Sequence, residues 1–262
     1  MSEWERYLLA VALCPQSLEP RCHPLLSMLD EWLSPVPVSS FVLQFLRKRP
    51  YASPSSAHGA VQIFQWATLE EFLQLRMGAD ILVVARGKLL DLPVPRSLAA
   101  LRVLLAAGVG LVIRRAEHHD PALAKFALSL SNLIPGEVHV QLFITPAGTH
   151  GFGWHYDDED VFILQTSGTK DYFFRDNTVE RNRPPHSVPD FTRFPGETSP
   201  IGTTRLIPGD WLYIPSRWWH MAKCTDDSLS VSFGISVDDS WLADIARSKA
   251  SADPNGTAFR PR

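Results

Sequence analysis

Through the first third of the chain, apolar residues recur at helical spacing. Ser2 with Glu5 precedes an apolar run, and Thr68 with Glu71 precedes Phe72, Leu73 and Leu75, so both read as capping boxes opening helices, the second closed at Gly78. Between them, Pro24 to Leu33 and Ser39 to Arg49 carry the same spacing, and Pro50 stops the latter. Tyr51 to Gly59, rich in Ser, Ala and Pro, predicts a loop.

From residue 81 the period shortens. Ile81 to Ala85 and Gly110 to Ile113 predict short strands around a helix bounded by Ser97 and Gly108. Asp120 followed by Pro121 is an N-cap and first-turn pair for another helix, which Pro135 and Gly136 close. Strands are then expected at Val138 to Thr145, Val161 to Gln165, Lys170 to Phe174, Trp211 to Ile214 and Ser228 to Ile235. Helices first and strands later predict an α+β fold, with short strands and long crossings suggesting a jelly roll or related barrel. The expected division is a helical region over 1–80 packing on a barrel of 81–238, then a short C-terminal helix and frayed tail over 239–262. The Pro-rich segment from Arg175 to Ile207 is too long for an idle connection and reads as a lid or rim, or else as a tolerated insertion.

Composition narrows the class. With 45% hydrophobic and 20% charged residues and a net charge of −3, the chain has the profile of a soluble globular protein. That balance supplies no positive field for a phosphate backbone, so no direct nucleic-acid partner is expected. The longest apolar stretch, Leu98 to Ile113, is interrupted by Arg102 and falls short of the roughly 18 residues of a membrane span. Glu3 and Glu5 stand where a secretory signal carries basic residues. The cysteines Cys14, Cys22 and Cys224 form neither a CxxC pair nor an even set, which fits a reducing cytoplasm. Cys14, Cys22 and His23 read as bystanders. At 262 residues the chain can bury a core without a metal to hold it, so a metal would be functional.

The informative block runs from Gly151 to Asp160. In an extended segment residues i and i+2 share a face, so His155 and Asp157 can reach one ion together. The pair alone is expected about 0.6 times by chance. Context adds His220, delivered to a sheet rim by the run from Gly209 through Pro215 to Trp219. Two imidazoles and a carboxylate leave half an octahedron open, which suits iron(II) taking an organic co-substrate and dioxygen; zinc with open water uses the same residue types. Lys170 bears on that choice. Lysines usually face solvent, but one pointing into a barrel needs an anionic partner, such as a dicarboxylic co-substrate. The alternation of Ser228, Ser230, Ser232 and Gly234 with Leu229, Val231, Phe233 and Ile235 lines either a polar pocket or a wet face.

Taken in order, Ile144-Thr-Pro-Ala-Gly148, Gly151-Phe152, His155-Tyr-Asp157-Asp158, Val161 to Gln165, Gly168, Lys170, Gly209 to Pro215 and His220 resemble the JmjC and cupin-like iron(II), 2-oxoglutarate-dependent oxygenases, especially the ribosomal oxygenases. The resemblance is fullest from about Gly108 to Ile235. It implies a double-stranded β-helix with flanking helices, iron held by His155, Asp157 and His220, and Lys170 pairing with the far carboxylate of 2-oxoglutarate. Ser232 falls where a polar residue assists that contact, and Gln141 matches a polar pocket position. The implied reaction is hydroxylation coupled to decarboxylation of 2-oxoglutarate to succinate. About 27 residues follow Ile235, so the dimerisation and winged-helix modules of ribosomal oxygenases are expected to be missing, and Tyr172 stands where that family often has Trp. The expected activity is hydroxylation of a protein or peptide side chain, with a small-molecule hydroxylase and a lysine or arginine demethylase as alternatives, and a non-catalytic cupin as a different class. Oligomeric state stays open, a homodimer included. His118, His119, His139, His150 and His186 read as structural or solvated.

Overall fold

A computed structural model of the protein describes residues 32–75, 79–184, 187–238, 240, 241 and 243. The Ser2 helix, most of the Pro24–Leu33 helix, Cys14, Cys22, His23, His186 and most of the C-terminal helix and tail lie outside these residues. Four α-helices are described: α1 (Val38–Gln44), α2 (Trp66–Leu75), α3 (Leu98–Ala106) and α4 (Pro121–Leu133). Eleven strands accompany them: β1 (Tyr51–Ser53), β2 (Asp80–Ala85), β3 (Lys88–Leu89), β4 (Gly110–Arg114), β5 (Gly136–Thr145), β6 (Asp160–Ser167), β7 (Lys170–Arg175), β8 (Gly202–Leu206), β9 (Trp211–Ile214), β10 (Trp219–Cys224) and β11 (Ser228–Val237). No described helix is long and apolar enough to cross a membrane.

The strands form an eight-stranded sheet in the order β1-β9-β6-β11-β5-β4-β2-β3 and a three-stranded sheet in the order β10-β7-β8. Every pairing is antiparallel. The architecture is the expected α+β double-stranded β-helix, and side-chain alternation explains its layering. Leu229, Val231, Phe233 and Ile235 of β11 join the main core with Leu123, Phe126 and Leu130 of α4. The opposite face of the large sheet sends Val161, Ile163, Leu212 and Ile214 against Tyr172 and Leu206 of the small sheet, forming a second core inside the barrel. The serines of β11 share that inner face.

The caps of the central helices follow from their sequences. Asp120 accepts hydrogen bonds from Ala122 N at 2.8 Å and Leu123 N at 3.0 Å, with Pro121 in the first turn of α4. Ser97 accepts from Ala100 N to open α3. Elsewhere tertiary contacts override local signals. Helix α2 begins at Trp66, ahead of the Thr68 cap, because Trp66 Nε1 donates to Ser167 Oγ and Gln65 Nε2 to Thr166 O, pinning the first turn to β6. Helix α1 stops at Gln44, short of Arg49. The chain turns at Arg47, at φ 59°, so that its main-chain N–H reaches the Tyr213 hydroxyl and its guanidinium the Asp160 carboxylate at 2.7 Å.

The expected loop at Tyr51–Gly59 contains β1, paired with β9 in the register Tyr51 to Tyr213. The long Arg175–Ile207 segment contains a 3₁₀ turn at Phe191–Gly196 and the edge strand β8. Strand β10 was hidden in sequence because its apolar residues do not alternate; it pairs with β7 and carries His220 opposite Phe174.

Candidate metal centre

The segment after β5 and the start of β10 are joined by main-chain bonds, His155 N to His220 O at 3.1 Å and His220 N to His155 O at 2.8 Å. This bridge sets the two imidazoles with centroids 4.3 Å apart. Asp157, two residues on, presents a carboxylate oxygen 3.4 Å from His220 Nε2. Ligand atoms of His155, Asp157 and His220 all lie within 4.8 Å of one another, the one such cluster among the described residues.

The donor set fits a divalent ion. His155 Nδ1 lies 2.8 Å from Gly153 O and His220 Nδ1 lies 3.0 Å from Trp218 O. A carbonyl oxygen can only accept, so each Nδ1 carries the proton and each Nε2 keeps a free lone pair. Burial, and then the neighbouring His155, push the His220 pKa from 6.5 down to about 4 against the pull of Asp157, which keeps that ring neutral. His155 and Asp157 are only half-buried, so the side of the cluster away from His220 opens toward solvent.

Lys170, the first residue of β7, points inward and is 4% exposed. Its Nζ donates to Ser230 Oγ at 2.9 Å and lies 5.8 and 5.9 Å from the ring centroids of Phe143 and Tyr172. Burial lowers its pKa, opposed by Cys224, its partner across the β7–β10 pair. Among the described residues no carboxylate pairs with it. A buried ammonium without a counter-ion costs several kcal/mol, so this pocket favours an anion. Tyr172 also hydrogen-bonds Ser230, and burial first of all pushes its phenol pKa up.

Ser230, rather than Ser232, is thus the serine that meets Lys170. Ser232 is buried one rung away, opposite Gln141 on β5, and neither side chain makes a hydrogen bond among the described residues. The alternation along β11 put both serines on one face; which of them faces Lys170 depends on how the two sheets stack.

A segment of aromatic residues covers the ligand strap. Trp154 stacks on Phe194 at 4.4 Å and 15°, and Phe191 meets Tyr156 edge-on at 5.5 Å with its centroid 6.5 Å from that of His155. Glu197 anchors this cover. Although burial opposes ionisation, hydrogen bonds from Thr178 and Val179 hold its carboxyl at about 2, and Trp219 Nε1 donates to it at 3.1 Å. His118 and His139 sit apart from the cluster, beside Glu117 at 3.7 and 3.9 Å. His150 bridges Lys223 through its main chain.

Comparison with known proteins agrees with this geometry. Residues 118–241 match the family described as JmjC domain. Ribosomal oxygenase 1 of Bos taurus is 27% identical over 220 residues, covering 80% of this chain and 33% of its own length. The bifunctional lysine-specific demethylase and histidyl-hydroxylase NO66 of Dictyostelium discoideum is 36% identical over 108 residues, 40% of this chain and 21% of its own length. The chain therefore spans about a third or less of these relatives. Among solved structures, YcfD, a ribosomal oxygenase from Escherichia coli in complex with cobalt and 2-oxoglutarate, superposes with a TM-score of 0.55 at 17% identity, covering 84% of this chain and 57% of that one. At that identity the superposition speaks for the fold. Over residues 118–241 this chain is thus similar to the JmjC domain family.

Proposed function

We propose that this chain is an iron(II)- and 2-oxoglutarate-dependent oxygenase that hydroxylates a protein or peptide side chain. The observation that carries the reading is the pairing of a two-histidine, one-carboxylate cluster with a buried ammonium that has no carboxylate partner among the described residues. A zinc hydrolase would need the first and have no use for the second. When bound, ferrous ion with 2-oxoglutarate and dioxygen supplies the oxidising power that places one oxygen on the substrate, with succinate and carbon dioxide as co-products.

The chain's own residues hold and shield that chemistry. His155, Asp157 and His220 are the ligands, and the Nδ1 contacts to Gly153 and Trp218 keep both imidazoles in the ligating tautomer. Lys170 Nζ, with the Ser230 and Tyr172 hydroxyls, holds the far carboxylate of the co-substrate by charge and hydrogen bonds. Ser232 and Gln141 line the same inner wall. The cover carrying Phe191 and Phe194 acts as a lid that limits water at the ligand strap, and Phe191 and Val188, exposed on it, contact the substrate. The catalytic unit is taken as 81–238, with the described residues 32–75 packed against it.

A macromolecular target is supported by that exposed apolar lid and by relatives named as ribosomal oxygenase and histidyl-hydroxylase. Iron-loaded protein incubated with a proteome and 2-oxoglutarate is expected to add the mass of one oxygen to specific peptides. Turnover of a free amino acid or metabolite with no peptide modified would favour the small-molecule reading instead.

A further inference from the structure

The two histidine ligands are fixed by their own rings, but Asp157 is not. Its carboxylate accepts no hydrogen bond among the described residues, and its side chain is 43% exposed. Its position is therefore set by the main chain, where Arg217 N donates to Asp157 O at 2.7 Å. The residues on either side, Tyr156 and Asp158, make their side-chain contacts with Glu180, Arg183 and Arg217 and not with the ligand cluster. The lid holds both of them. Arg183 Nη2 lies 2.6 Å from each oxygen of Asp158, and Arg217 Nε donates to the same carboxylate at 3.2 Å. The Arg183 guanidinium sits 5.3 Å from the Tyr156 ring centroid, and its Nη1 donates to Ser187 Oγ at 2.8 Å. The Tyr156 hydroxyl donates to Glu180, and Arg217 Nη1 donates to the carbonyls of Arg181 and Arg183.

We propose that Arg183 is a positioning residue for the metal-binding carboxylate: with Glu180 it holds Tyr156 and Asp158, and so places Asp157 between them. The inference rests on the reading of His155, Asp157 and His220 as metal ligands. It makes the grip on the ion depend on the lid being docked. The Arg183 side chain, 7% exposed, is sunk into the lid interface even though Asp158 is half in solvent, so the contact is part of the packed lid and not a passing surface pair.

Removing a residue that orients a metal ligand typically weakens metal affinity by about 10- to 100-fold. The test is calorimetric titration of the purified full chain with cobalt(II) alone, in the wild type, Arg183→Gln, Asp158→Asn and the double variant. Each single variant is expected to bind cobalt about 10- to 100-fold more weakly, and the double variant within about threefold of the weaker single one, because one contact has been removed twice. Arg183→Lys, which keeps the charge but lacks the second nitrogen that reaches Ser187 while the first holds Asp158, is expected in between. Cobalt affinity of Arg183→Gln within twofold of the wild type, whatever its Tm, would overturn the proposal. Should Arg183→Gln not fold, Arg183→Lys decides: a loss of threefold or more supports the proposal, and parity with the wild type overturns it. A wild-type chain that binds cobalt through His155 but never converts 2-oxoglutarate to succinate would sink the oxygenase reading and leave this inference standing.

Discussion

Lys170 Nζ and Ser230 Oγ meet at 2.9 Å across the inside of the barrel, joining the first residue of the small sheet to the middle strand of the large one. An ammonium in that place is poorly matched to the empty protein and well matched to a dicarboxylate. Two opposite effects of one residue follow.

Lys170→Ala should raise the KM for 2-oxoglutarate by about 10- to 100-fold, since a hydrogen bond to a charged group contributes about 1.5–3 kcal/mol. The effect on kcat should be smaller, because the anchor holds the co-substrate before and during reaction alike. Without ligand the sign reverses. Lys170→Met should melt at or above the wild type, as an apolar chain of similar length removes the desolvation cost. Succinate formation over a 2-oxoglutarate series and thermal melts with and without 2-oxoglutarate check both; a Lys170→Met protein less stable than the ligand-free wild type by 2 kcal/mol or more would count against the buried-ammonium argument.

The glycine before that anchor has a steric reason. Gly168 turns the chain from β6 into β7 at φ 70°, and a Cβ there would stand 2.4 Å from Asp227 O, a main-chain atom with little freedom to move. Gly168→Ala should cost about 1–3 kcal/mol, from strain in the left-handed region together with the clash. Because the turn aims Lys170, weaker 2-oxoglutarate binding should accompany the lower Tm.

Acid should weaken the metal-free fold through His220. Its pKa lies near 4 when folded and 6.5 when free, so between those values the unfolded chain takes up a proton that the folded ring refuses. Stability is then fully present above pH 6.5 and falls as pH drops toward 4. The difference in unfolding free energy between wild type and His220→Gln, measured from pH 7 to 4, should change in that direction; a difference independent of pH would contradict it.

Asp160 ties the helical side to the barrel. It is fully buried, receives the Tyr213 hydroxyl and faces Arg47 Nε at 2.7 Å. Asp160→Ala removes the acceptor of the buried Tyr213 hydroxyl and the ion-pair contact to Arg47, and should destabilise by about 3 kcal/mol, read from urea unfolding. Cobalt affinity should change far less than stability, since Asp160 touches none of the three ligands.

What could be read from sequence was mostly local. His155 and Asp157 are two residues apart, so their shared face follows from the geometry of an extended chain, and the Asp120–Pro121 cap of α4 is contained in adjacent residues. His220 needed the Gly-Asp to Pro run before it to mark a strand end. What escaped was whatever depends on distant partners. Strand β1 exists because β9 lies beside it, and β8 is an edge strand with only Leu206 fully buried. Choosing Ser230 over Ser232 required the stacking of two sheets. The grip of Arg183 on Asp158 joins residues 25 apart through an irregular segment that has no period to read.

The most direct test is anomalous diffraction from crystals grown with cobalt(II) and 2-oxoglutarate. A single strong peak bonded to His155 Nε2, His220 Nε2 and the Asp157 carboxylate, with continuous density for a dicarboxylate ending at Lys170 Nζ, is the predicted result. A peak lying elsewhere, or a bound metal with 2-oxoglutarate turned away from Lys170, would contradict the account.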